Sequence, residues 1–502
     1  MRAKRQLAKK IGVGFLQMTR MIKFALAGGL MAMAAATAQP IMAQTIVPAA
    51  PAATTPQRNA NELGARELYR SIIGFRTARG HKQVPAMVAY LKGEFVKAGF
   101  PESDISITDY DSDGEPTQGL MVTYRAKNKP KAGPIVLLGH MDVVEALPED
   151  WERPPFTLTE EDGYFFGRGT LDNKYGIASL AHNFIRLKKE GWTPGRDLIL
   201  VFSGDEETGM ISTRAQAKMV AETIKPALVL NSDAGGIRLT EDFKPIMFGV
   251  QAAEKTFATF ELTVTNPGGH SSRPRADNAI YELASALKAI EAYRFPVRDN
   301  AITRGSFAEL GKITPGPLGE AMLAFSRNPA DEAARATLLA SPATSNMLST
   351  TCVATMLKGG HAENALPQSA TATVNCRIFP GEGGATATEA TLKKAINNDK
   401  VTFKLATDVV EAPASTLDTE VLGAVKAGVH ARFPDMVIAP YMESGGTDGM
   451  HYRALGLNTV AISGAAMRDA DMFAHGLNER IRVEDFYAGL DHWYLILKHL
   501  AD

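Results

Sequence analysis

Three short runs of uninterrupted apolar residues limit what this chain can fold into more than any other feature. Ile135-Val136-Leu137-Leu138, Leu198-Ile199-Leu200-Val201-Phe202 and Ala227-Leu228-Val229-Leu230 are each too short for an ordinary helix and end in polar residues or glycine. A strand is apolar at every position only when both of its faces are covered, as in a parallel sheet flanked by helices. Each run also ends on ionisable groups. His140 and Asp142 follow the first, Glu206 and Glu207 the second, and Asp233 the third. Ligands and catalytic groups collect at the carboxyl ends of strands in open α/β sheets.

Helical patterns separate these strands. Residues 174–190 carry Ile177, Leu180, Ala181, Phe184 and Leu187 at helical spacing, with Gly191 placed to end the helix. Similar patterns occupy 61–75, 84–98, 421–432 and 483–499, and further strands are expected at 119–125 and 459–463. This alternation predicts an α/β fold with a doubly wound, mostly parallel sheet. From about residue 256 the texture changes. A half-exposed strand at 257–264 precedes a helix at 276–292, β runs at 351–357 and 371–379, a helix at 386–396 and a strand at 401–405. That β-α-β-β-α-β order predicts an inserted α+β module of the split-βαβ type, enlarged by helical residues around 328–340. The expected layout is a catalytic α/β domain in two parts, 59–253 and 411–502, interrupted by an inserted domain at 254–410.

At 502 residues the chain is too long for one core, as that division requires. Lys plus Arg number 54 against 55 Asp plus Glu, a net charge of −1, which argues against nucleic acid or a membrane surface as partner. Basic residues between Arg2 and Lys23 precede an apolar stretch at 24–38 and then small residues, the pattern of a secretory signal peptide spanning 1–43. The stretch is short for a spanning helix. Residues 44–58, rich in Ala, Pro and Thr, read as a flexible lead-in. The expectation is a periplasmic or secreted protein with no stable membrane insertion after processing. The two cysteines, Cys352 and Cys376, lie symmetrically about residue 364 in the two β runs. A cross-strand disulfide and a pair of buried thiols both fit.

Taken singly, Asp172 in Gly167-Arg168-Gly169-Thr170-Leu171-Asp172 could cap a helix, and Glu207, Asp233 and His475 could be ordinary loop residues. Together they are three carboxylates and, with His140, two imidazoles at one end of one sheet. Without a cation they would repel and desolvate one another. Two divalent ions bring +4, which Asp172, Glu207, Asp233 and one bridging hydroxide cancel. Mixed imidazole and carboxylate ligands suit Zn2+, with Co2+ or Mn2+ as substitutes.

These motifs, in this order, resemble a di-zinc exopeptidase and aminoacylase family that includes carboxypeptidase G, acetylornithine deacetylase, succinyl-diaminopimelate desuccinylase and aminoacylase-1. The wording His140-x-Asp142-Val143-Val144, Trp151…Pro154-Pro155-Phe156, Asp162-Gly163-Tyr164 and His475-Gly476-x-Asn478-Glu479-Arg480 is most similar to the carboxypeptidase S-like branch. The resemblance runs from about residue 60 to the C-terminus. It implies His140 and Asp233 on one zinc, Glu207 and His475 on the other, and Asp172 bridging both, with a cis peptide after Asp172. Asp142 would orient His140. Glu206 would be the general base, drawing a proton from the metal-bridging water and passing it to the leaving amine.

The inserted domain would be a lid and the interface of a homodimer. From it His270, in Pro267-Gly268-Gly269-His270, would stabilise the oxyanion, while Asn364 and Arg377 would bind the substrate's carboxylate. Gly446 and Thr447 would contact the substrate terminus. One departure stands out: the family commonly has Arg or Lys where this chain has Met450, and His451 and Arg453 are the nearest replacements. The activity implied is hydrolysis of an amide or peptide bond beside a free carboxylate, with a small peptide or N-acyl amino acid as substrate. Two other classes remain open: a non-catalytic peptide-binding protein on the same fold, which predicts a broken ligand set, and a metal-dependent esterase or lactonase. All five ligands and the base are intact in this chain.

Overall fold

The apolar runs are the centre of a ten-stranded sheet. Strands Leu198–Ser203, Ile135–His140, Leu228–Asn231 and Thr459–Ala461 lie side by side in that order, all parallel. The structure, a computed structural model, describes residues 58–127, 130 and 132–502. The signal peptide and all but the last residue of the lead-in fall outside them. Among the described residues no helix is long and apolar enough to cross a membrane.

Alternation explains why the central strands are apolar throughout. Leu137, Leu200 and Leu230 face a core shared with helices Ala60–Ile73, Val84–Lys97, Lys174–Lys189, Thr419–Arg432 and Val483–Ala501. Val136, Leu138, Ile199, Val201 and Val229 face the other side, against Ala217 and Val220 near the end of Ile211–Met219 and Tyr452 of Gly449–Ala454. The sheet is therefore doubly wound, as expected. Its flanks are mixed. The hairpin of Ile105–Ser112 and Glu115–Tyr124 adds antiparallel to Leu198–Ser203. At the other flank, Pro245–Glu254 pairs antiparallel with Gly236–Leu239 and parallel with Val437–Glu443.

The second sheet is antiparallel, in the order Thr351–Gly359, Ser369–Ile378, Thr256–Thr265, Thr402–Leu405. Alternate residues Ala258, Phe260, Leu262 and Val264 pack with Leu283, Ala286 and Ile290 of helix Ala279–Ala292 and with Leu392 of helix Gly384–Ile396. This is the split-βαβ module. Its enlargement exceeds the sequence expectation. Helices Ala301–Ile313, Gly316–Arg327 and Glu332–Ala340 build a satellite core around Phe307, Phe325 and Leu338. Cys352 and Cys376 are cross-strand partners and form a disulfide. A bulge between Ala354 and Met356 shifts the register beyond them.

Candidate metal centre

Each ligand candidate sits just past the end of a central strand or on a loop tied to one. His140 ends Ile135–His140 and is completely buried. Its Nε2 lies 2.9 Å from Asp172 Oδ1 and 3.4 Å from Asp233 Oδ1. Its Nδ1 lies 3.0 Å from the Asp142 carbonyl and 3.5 Å from Asp142 Oδ1. His475 approaches Asp172 from the other side, with Nε2 2.9 Å from both Asp172 Oδ2 and Glu207 Oε1. Two triads result, His140–Asp172–Asp233 and Asp172–Glu207–His475, each with ligand atoms within 4.8 Å of one another. Asp172 belongs to both.

Neighbouring loops hold these groups in place. Asp142 accepts the backbone N–H groups of Glu206 and Glu207 at 3.0 Å each, so one carboxylate ties the first strand end to the second. Glu479, fully buried, accepts from Arg168 Nη1 at 2.7 Å and from the N–H groups of Gly169, Leu171 and Asp172 at 3.1, 2.7 and 3.1 Å. It lashes the loop of His475 to the loop of Asp172. The Asp172–Asn173 peptide is cis. Asn173 Oδ1 accepts Ser232 Oγ at 3.1 Å, and a Cβ on Gly176 would lie 2.2 Å from that hydroxyl, so the helix can start there only with glycine. His475 has φ +63°, a left-handed backbone seldom adopted by non-glycine residues and concentrated at functional sites.

The electrostatics are those of an acid cluster awaiting positive charge. Burial, with help from Asp172 and Asp448, pushes Asp233 up to about 7, against the pull of His140. Burial also raises Glu206 and Glu207. His475 is pushed up to about 10 by its hydrogen bonds to Asp172 and Glu207. Asp172, although partly buried, is held far below the usual carboxylate range by His140 and His475. Protons on the imidazoles and acids stand in here for cations. Oxygen and nitrogen donors in two triads sharing a carboxylate, running from buried His140 to exposed His475, fit a pair of divalent ions. Glu206 belongs to neither triad and lines the cleft beside them.

Residues 136–499 match the family described as Peptidase family M20/M25/M40. The chain belongs to that family. It is therefore a metallohydrolase of the peptidase and amidohydrolase class, acting on amide or peptide bonds. The M20 chain is 30% identical to probable carboxypeptidase S-like 2 of Dictyostelium discoideum over 376 residues, covering 73% of this chain and 71% of that one. It is 31% identical to an N-fatty-acyl-amino acid synthase/hydrolase of Xenopus tropicalis, covering 70% and 69%. The M20 family metallo-carboxypeptidase Sso-CP2 from Sulfolobus solfataricus shares its fold, with a TM-score of 0.64 at 18% identity over 88% of this chain and 99% of that chain.

The M20 cleft, of about 600 Å³, is lined by Asp172, Glu206, Glu207, Asp233 and His475 together with Lys255, Phe257, Arg377, Gly446 and Met450. Other expected site residues lie elsewhere. His270 and Asn364 are exposed neighbours at the two-stranded ribbon of Gly269–His270 and Ala365–Leu366, where Ser271 N–H donates to the Asn364 carbonyl at 3.0 Å; neither lines the cleft. Thr447 is buried, its hydroxyl donating to Glu254 and accepting from Asn231. Of the two replacements for a basic residue at 450, His451 lines the cleft, whereas Arg453 is buried and paired with Glu254 at 2.5 Å. Sequence reasoning gave no role to Glu479 or Lys255. Glu479 lay inside a motif already noticed. Lys255 carries no local signature, because the groups around it come from distant segments.

Proposed function

We propose that this chain hydrolyses an amide or peptide bond next to a free carboxylate, using two divalent cations, with zinc as the native metal. The observation that carries the reading is Asp172, whose two oxygens each lie 2.9 Å from a different imidazole, His140 on one side and His475 on the other. His140 and Asp233 would hold one ion, Glu207 and His475 the second, with Asp172 shared. When bound, the pair supplies a Lewis acid for the scissile carbonyl and lowers the pKa of water. Glu206, a buried carboxylate lining the cleft and outside both triads, takes a proton from the attacking water and delivers it to the leaving nitrogen. Arg377 and the loop at Gly446 hold the substrate's carboxylate.

The names of the two relatives, a probable carboxypeptidase S-like protein and an N-fatty-acyl-amino acid synthase/hydrolase, support peptides and N-acyl amino acids as the substrate classes. Residues 59–253 and 411–502 form the catalytic domain, and 254–410 form a lid that also pairs two copies. Val353, Met356 and Leu357, exposed on the edge strand Thr351–Gly359, support that pairing. The leader at 1–43 directs export. The test is hydrolysis of dipeptides and N-acyl amino acids by purified protein, before and after chelation. Activity lost to chelator and restored by zinc is the expected result; hydrolysis indifferent to chelator refutes the mechanism.

A further inference from the structure

The cleft that holds the acid cluster is also lined by two cations withdrawn from solvent, buried Lys255 and half-buried Arg377. Lys255 is the single residue between strand Pro245–Glu254 of the large sheet and strand Thr256–Thr265 of the small one. Its N–H donates to the Glu443 carbonyl at 2.9 Å, which fixes the joint. Only 4% of the residue is exposed, and that part lines the cleft. The ammonium donates to the Ser349 carbonyl at 2.7 Å. Arg377 sits opposite Phe257 in the small sheet, its guanidinium 4.7 Å from the centre of that ring, and donates to the Ser444 carbonyl at 2.8 Å. Both bonds end on neutral carbonyls. Among the described residues neither cation forms an ion pair.

Buried charges are normally paired, because a lone one forfeits its hydration without return. Burial pushes Lys255 down to about 8, against a smaller pull from Glu382 and with the Arg377 charge adding to the effect. Met450 brings no charge to this wall of the cleft.

We propose that Lys255 is a second recognition group for the substrate's carboxylate, which it holds together with Arg377. The inference rests on the reading that the substrate carries a free carboxylate. Arginine offers a planar fork and lysine a compact point charge, so the two grip one carboxylate from different directions. The Lys255 backbone N–H and the Arg377 guanidinium are anchored to the carbonyls of two consecutive residues, Glu443 and Ser444, and the chain runs on from there to Gly446 at the cleft. Lys255 belongs to the joint between the sheets, so bound carboxylate would also steady one sheet against the other.

The test compares N-acetylmethionine with its C-terminal carboxamide in the wild type, Lys255→Met and Lys255→Arg, with metal content measured for each. In Lys255→Met the preference in kcat/KM for the acid over the amide should fall roughly 10- to 100-fold, chiefly through KM. Hydrolysis of the amide and metal content should hold, and Lys255→Arg should retain most of the preference. Equal loss on both substrates would make Lys255 a purely structural joint, and an unchanged preference would remove it from recognition; either result overturns the proposal. The same two ligands titrated calorimetrically into Glu206→Gln, with and without Lys255→Met, ask the question without turnover. A Lys255-dependent preference in binding alone, with no hydrolysis by the wild type, would refute the functional reading and leave this inference standing.

Discussion

Glu206 and Asp142 are carboxylates a few ångströms from the same cluster, yet the structure equips them for different work. Asp142 spends both oxygens on the backbone of Glu206 and Glu207, whereas Glu206 lines the cleft outside both triads. Glu206→Gln should therefore lower kcat by roughly 10²–10⁴ while metal content, read by elemental analysis, stays at the wild-type level. Asp142→Asn keeps the shape but points an amide N–H₂ at one of two backbone donors. Metal affinity, followed by titration of the stripped protein, should weaken roughly 10- to 100-fold. His140, Glu207 and Asp233 were legible in the sequence because each ends or closely follows a buried strand, so chemistry and fold signal lie side by side, whereas Asp172 and His475 were read from the motifs around them. Lys255 was not legible. Its hydrogen-bond partner Ser349 is 94 positions away, and a lysine between two strands looks like any other until the cleft closes around it.

Elements were read most accurately where burial imposes one period. The helix over Lys174–Lys189 and the strand over Ile135–His140 emerged nearly residue for residue, since a single face, or both faces, must be apolar. Strands Pro245–Glu254 and Val437–Glu443 escaped notice because proline, glycine and charged residues interrupt them. Helices Ala301–Ile313 and Gly316–Arg327 did so because their short amphipathic patterns are broken by glycines and serve only a satellite core. Symmetry about residue 364 holds as far as the Cys352–Cys376 pair and fails at the bulge beyond it. That disulfide closes a loop of 24 positions. Replacing both cysteines by serine should cost the small sheet about 3 kcal/mol. Denaturant melts of the variant and of the reduced wild type should move together to a lower midpoint.

The whole molecule carries a sensitivity to acid away from its metal centre. Burial, reinforced by the charge of a nearby arginine, pushes His182 down to about 4 and His492 down to about 3. The unfolded chain takes up these protons near the ordinary value of 6.5, while the folded chain refuses them. Stability is thus fully present above about pH 6.5 and falls below it, by up to roughly 1.4 kcal/mol per pH unit for each histidine. Thermal melts between pH 7 and pH 4 should show the decline, and His492→Leu should flatten it. At the same scale, Asp172 is clasped by one imidazole from the first third of the chain and another from its last thirty residues, and Glu479, which steadies the loop, comes later still. The triad of His140, Asp172 and Asp233 is therefore complete once residue 233 is made, whereas that of Asp172, Glu207 and His475 must wait for a segment translated long afterwards. The paired centre is whole only after the loop carrying His475 has docked against the loop carrying Asp172.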